Sequence, residues 1–198
     1  MSGGVVERWE GSNSSWRGRV EDYSRHVTDL RQRGYEGAVD REAKEVAFLR
    51  AFEIMTPLAL RVLDDLSDWY LSGTGTSETN SPSRDDRGGL AGTWSLTWPL
   101  LRSDRDRMTG EELPPVRLRA IFPIDWTHPH LALIGAREDV FAWPLQVMSS
   151  DDATRQEAVL RVIAEAELHD RIYCAVSNWA VLPEDFAGYA SEHLSQDR

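Results

Sequence analysis

Apolar side chains recur at steps of three and four along the first third of the chain. Val20, Tyr23, Val27 and Leu30 form one such stripe between Trp16 and Arg33, and Gly34 supplies a stop signal. The spacing predicts a helix over about 16–33. A stronger stripe follows, in which Phe48, Phe52, Met55, Ala59, Val62, Leu66 and Trp69 alternate steps of four and three. Leu49, Leu63 and Tyr70 widen it, as a core-facing helix requires, and Asp40 can cap it. This second helix is expected over about 40–71. Pro57 lies inside it and would kink it or divide it into two abutting helices, because proline removes one backbone bond and crowds the preceding turn.

The period then changes. Residues 72–92 are poor in apolar side chains and rich in Gly, Ser, Thr, Asp and Arg, the composition of a flexible loop. From Trp94 the apolar positions alternate. Trp94, Leu96 and Trp98 predict one strand, and Val116, Leu118, Ala120 and Phe122 predict a second, with Arg117 and Arg119 on its other face. Leu131–Ile134 and Val140–Val147 read as a third and a fourth. The triplets Trp98-Pro99-Leu100 and Trp143-Pro144-Leu145 place prolines where strands end or bulge.

Ser149 to Asp152 offers helix caps, and a long helix over about 151–173 follows with Val159, Val162, Ile163, Ala166 and Tyr173 on its apolar side. A short helix is expected from Pro183 to about His193. The Gly- and Ser-rich residues 1–15 read as a flexible arm. The sum is a single α+β domain over 16–198: a four-stranded antiparallel meander (about 93–148) packed by the N-terminal helices and a long C-terminal helix.

Composition narrows the function classes. A net charge of −11 argues against nucleic acid, whose phosphates need a basic surface. The excess is uneven: residues 138–198 hold twelve acids against four bases, while residues 1–50 balance at nine each. One cysteine, Cys174, leaves no disulfide framework and no cysteine-rich zinc site, and it is expected to be a buried structural thiol. No basic-then-apolar leader and no long apolar run is present, so the chain is expected to be soluble and cytoplasmic, with no membrane partner. Lys44 is the only lysine. Gly73-Thr74-Gly75 lacks the third glycine of a dinucleotide fingerprint, and neither a phosphate loop nor a Gly-x-Ser-x-Gly elbow occurs, so no cofactor is expected.

Two clusters can carry chemistry. Asp125, His128 and His130 sit together in sequence, and His169 from the long helix would be the further ligand that a zinc or iron site needs. The competing reading makes 125–129 a strand-connecting turn whose polar atoms satisfy local backbone groups. Glu165 and His169, four apart on one helix face, can pair, but they match neither Glu-x-x-His nor His-Glu-x-x-His.

The run Pro115–Leu131 contains Phe122-Pro123, then Trp126, then Pro129-His130-Leu131. It resembles the second and third strands of the ubiquitin-conjugating and RWD folds, where a strand ends in Phe-Pro and a proline opens the next. No cysteine follows the third strand here, since Cys174 lies far down a helix. The resemblance therefore implies a noncatalytic interaction domain.

With no complete catalytic constellation, the leading expectation is a noncatalytic binding protein that contacts another protein. Its contact surface would be a Trp- and Arg-rich sheet face built from Trp94, Trp98, Arg117, Arg119, Trp126 and Trp143, residue types enriched at interface anchors. The alternatives are a metal-dependent enzyme or metal-binding protein using the Asp/His cluster, and a binder of a small apolar ligand held between the sheet and the 153–173 helix.

Overall fold

The computed structural model describes residues 7–99, 102, 105–134 and 140–175, so the expected helix at 183–193 lies outside the described residues. Three long helices, α1 (Glu7–Gln32), α2 (Arg41–Tyr70) and α3 (Ser150–Cys174), accompany five strands. The strands are β1 (Thr76–Arg84), β2 (Leu90–Thr97), β3 (Val116–Phe122), β4 (His130–Ile134) and β5 (Val140–Pro144). Each strand pairs antiparallel with its neighbour in sequence, giving the order β1-β2-β3-β4-β5. The α+β class and the meander are as the sequence predicts, with one strand more.

The added strand is β1, which occupies the segment expected to be a flexible loop. Its side chains are nearly all exposed, so no apolar alternation marks it. As an edge strand it has only one neighbour to satisfy, and polar residues at an edge resist pairing with other chains. The register shifts between Asn80 and Ser83, around Pro82, where proline's missing donor costs nothing. The turn to β2 is held by Asp85, whose carboxylate accepts from Arg87 N at 2.9 Å and Gly89 N at 2.8 Å, and Gly88 takes a φ of +87°.

Helix α2 runs unbroken through Pro57. Asp40 caps it as expected, accepting from Ala43 N at 2.8 Å. Ser149 caps α3 by accepting from Asp152 N at 3.2 Å. Helix α2 contacts β1, β2 and β3, α3 contacts β3 and β4, and the two helices contact each other. The core lies between this helix pair and one sheet face. Along β2, Leu90, Gly92, Trp94 and Leu96 are buried while Ala91, Thr93, Ser95 and Thr97 are partly open, the alternation of a strand packed on one side.

Helix α1 begins at Glu7, inside the segment expected to be a flexible arm, and packs on α3 and β5. Its polarity is reversed. An amphipathic helix normally buries its apolar stripe. Among the positions described on α1, Gly18, Asp22, His26 and Asp29 are buried and Val27 is half-buried, whereas Val20, Tyr23 and Leu30 are 47%, 55% and 47% exposed. The reason lies in what α3 and the neighbouring loops offer. Asp22 accepts from Gln156 Nε2 at 2.8 Å, Arg25 reaches Asp152 at 3.0 Å and Glu36 at 2.5 Å, and Arg155 bonds both Asp22 and Asp152. Asp29 accepts from Glu36 N and from Gln146 Nε2. Helix α1 is fastened by charge and hydrogen bonds, not by oil.

Candidate functional site

Two of the six expected contact residues belong to the core. Trp94 and Trp98 are 0% and 1% exposed: strand alternation turns Trp94 inward, and Trp98 belongs to the same buried cluster. Trp94 stacks on Phe52 and donates from Nε1 to Thr56 Oγ1 at 3.0 Å. They form no sheet surface. Arg117 stays exposed and Arg119 is half-buried, both on the β3 face opposite Val116 and Leu118. Trp126 is half-buried, with its ring edge-on to His130 at 4.9 Å between centroids.

The Asp/His set also separates. Asp125 is exposed in the β3–β4 connection, and His169 is exposed on α3. His128 and His130 instead meet His26 of α1, at ring-centroid distances of 5.2 and 5.3 Å. His26 carried no sequence signal, since a lone histidine on a helix has no local partner. Among the described residues no group of three or more His, Cys, Asp or Glu is arranged to hold a metal ion.

The 123–129 connection is held as a structural turn. Arg41 donates to the carbonyls of Phe122, Pro123 and Trp126, and Lys44 donates to Thr127 O at 3.2 Å and Arg33 O at 2.8 Å. The one lysine thus ties the end of α1 to this turn. Burial lowers the pKa of all three histidines. For His130, burial and then the nearby His26 push it down to about 4. For His26, burial and His128 act against Asp29, and for His128 burial outweighs the carbonyls of Gly34 and Asp29. The neutral rings pack as aromatic surface beneath α1.

The best-formed recess lies where the sheet meets α3. A groove of about 280 Å³ is lined by Leu133, Ala142 and Trp143 from β4 and β5, and by Ala158, Val159, Val162 and Ile163 from α3. No carboxylate, amine, hydroxyl or thiol is among these seven residues. Its rim is open, with Val162 63% exposed. Of the apolar side expected for α3, Ile163 is buried and Val159 and Ala166 are half-buried, but Leu160, Ala164 and Leu168 complete the buried face and leave Val162 and Tyr173 outside. Val159, packed on the core's edge, and Val162, left outside, give α3 its side of the groove.

Trp143 is the expected contact residue that the groove retains. It touches Tyr23 of α1 at 6.4 Å between ring centroids, so the groove continues towards the open apolar stripe of α1. Its Nε1 is buried and has no acceptor. An orphaned donor of this kind costs about 1–3 kcal/mol.

Among the described residues no helix is long and apolar enough to cross a membrane. Comparison with family models, with curated proteins and with solved structures returns no match, so the likeness of residues 115–131 to the ubiquitin-conjugating and RWD folds has no whole-chain counterpart.

Proposed function

We propose that the chain is a noncatalytic binding protein that receives an apolar side chain of another protein in the groove between β4–β5 and α3. The observation that carries this reading is the groove itself: an open recess whose lining is predominantly apolar and holds no carboxylate, amine, imidazole, hydroxyl or thiol. A recess of about 280 Å³ that opens to solvent can seat one or two anchor side chains. Interfaces concentrate their energy in such anchors, seated in a pocket at the centre of the contact. Trp143 adds specificity, because a turn of its ring would offer the orphaned Nε1 to a carbonyl of the partner.

The test is a photo-crosslinking residue placed at position 162, with position 108 as the control, in the source cell. Met108 is also exposed but lies in the 105–112 turn, away from the groove. A protein adduct of defined mass is expected from 162, absent from 108 and lost when Val159→Glu is added. An adduct with a small molecule would support the apolar-ligand alternative instead. Equal labelling from both positions would remove the groove from consideration.

A further inference from the structure

The shielded arginines of this protein are neutralised by its own acids, with one exception. Among the described residues, Arg25, Arg41, Arg105, Arg155, Arg161 and Arg171 are partly or fully buried, and each bonds a carboxylate. Arg119 is half-buried and bonds none. Its guanidinium makes no ion pair among the described residues, and its buried Nε has no acceptor. Shielding a cation from water without giving it a partner is costly, so the exception calls for a reason.

Strand register shows what surrounds it. Arg117 and Arg119 project from the sheet face opposite the helices, about 7 Å apart along β3. Arg117 is exposed and likewise makes no ion pair among the described residues. Ser95 and Thr93 of β2 stand directly beside them, half-buried, and neither hydroxyl bonds another described residue. On its other side Arg119 faces Ala132 of β4, whose side chain offers no acceptor. Glu78 is the one acid in β1, β2 and β3, and it stands opposite Ser95, two strands from Arg117. Burial, and then the charges of Arg171 and Arg119, lower the pKa of Arg117; Glu167 opposes them but already bonds Arg171. A chain of net charge −11 thus carries here a positive patch without a counter-ion of its own among the described residues.

We propose that Arg117, Arg119, Ser95 and Thr93 bind a phosphate monoester. Guanidinium forks pair oxyanions bidentately, and two of them bring two positive charges to one place. A carboxylate has one charge and two oxygens, which leaves one arginine and the hydroxyls unmet. A phosphate monoester carries about −1.5 to −2 at neutral pH on three acceptor oxygens, a match for two arginines and the hydroxyls beside them. It also gives Arg119 Nε an acceptor. A phosphodiester, the group of nucleic-acid backbones, has a single charge and neutralises only one of the two arginines. The patch lies on the sheet face away from α3, whereas α3 lines the groove, so the two readings stand independently.

Inorganic phosphate, titrated into the full chain at constant ionic strength, is expected to shift the Arg119 Nε–Hε NMR signal downfield with a Kd of about 1 mM or below. In calorimetric titration, Arg117→Gln and Arg119→Gln should each weaken binding about tenfold or more, as the loss of a charged hydrogen bond predicts. Arg50→Gln, at an exposed α2 position, and the groove variant Val162→Glu should leave it unchanged. A phosphoserine peptide and a sugar phosphate distinguish the sources. The tighter of the two names the source, and equal affinity assigns the contact to the phosphate group alone. A further measurement does not depend on the variants folding: phosphate, but not chloride at equal ionic strength, should raise the melting temperature of the wild type. No shift at Arg119, an equal shift with chloride, or dimethyl phosphate binding as tightly as the monoesters would overturn the proposal. So would wild-type affinity in Arg119→Gln.

Discussion

Phe52 of α2 lies flat against Trp94 of β2, with ring centroids 4.3 Å apart and planes 8° from parallel. The stack is possible because Gly92, two residues earlier on the same strand face, leaves room for the phenyl ring. A Cβ at Gly92 would come within 2.8 Å of Phe52 Cδ2 and Cζ, so Gly92→Ala overpacks the centre of the core. The expected loss is about 1–3 kcal/mol in urea unfolding. Adding Phe52→Leu should recover part of it, and a double variant less stable than the sum of the two singles would refute this account of Gly92.

The indole of Trp94 is satisfied by one hydroxyl. Thr56 accepts from Trp94 Nε1 and donates to Phe52 O at 2.8 Å. Thr56→Val keeps the shape and leaves a buried N–H without a partner, at about 1–3 kcal/mol. Thr56→Ser should be much milder. Equal losses for the two would show that the methyl, not the hydroxyl, matters.

Arg171 is 1% exposed and binds four acceptors: Pro114 O at 2.7 Å, Pro115 O at 3.1 Å, Glu167 Oε2 at 2.6 Å and Asp170 Oδ2 at 2.9 Å. It fixes the approach to β3 against α3. Burial raises the pKa of Glu167, and Arg171 offsets it. Arg171→Ala strands the carboxylate and both carbonyls, and about 3–5 kcal/mol should be lost in denaturant titration. Arg171→Met with Glu167→Leu removes the charges together and should be distinctly more stable than Arg171→Ala alone.

The histidine cluster predicts a pH dependence. The unfolded chain takes up a proton near pH 6.5 at His130, while the folded protein waits until about 4, so stability falls as pH drops across that interval. His26 and His128 are lowered too and act in the same sense. Asp22 and Glu36 oppose them: burial raises both carboxyls, so the fold gains as pH falls through their folded values. Replacing His130 alone isolates its share from that of the carboxyls. Melting temperatures between pH 7 and 5 should fall more for the wild type than for His130→Gln. Parallel curves would exclude the cluster as the cause.

Strand alternation and helical spacing in the sequence locate β2 to β5 and all three helices, because each of these elements contains alternating or stepped apolar residues. β1 escapes for the opposite reason: Thr76–Arg84 buries almost nothing, and its pairing rests on backbone bonds that carry no side-chain signature. Periodicity also shows that α1 is a helix but not which side packs. That side is chosen by Asp152, Arg155 and Gln156, more than 100 residues away. The groove has the same character. Val162 reads as core until Leu160 and Ala164 are seen to hold the buried face, and Leu133 and Trp143 reach it only through the meander. His26 meets His128 across a comparable gap.

The long reach of the α1 contacts sets an order of assembly. Every strand pairs with the next in sequence, so the sheet can close hairpin by hairpin as it is made. Helix α1 is made first, but Arg25 waits 127 residues for Asp152 and Asp22 waits 134 for Gln156. At ribosomal speeds of about 5–20 residues per second, that delay is on the order of ten seconds. For that interval the helix has no body to lie on, while its apolar stripe is already complete. The polar face of α1 that carries Asp22 and Arg25 therefore stays hydrated until α3 is made, and its docking closes the fold.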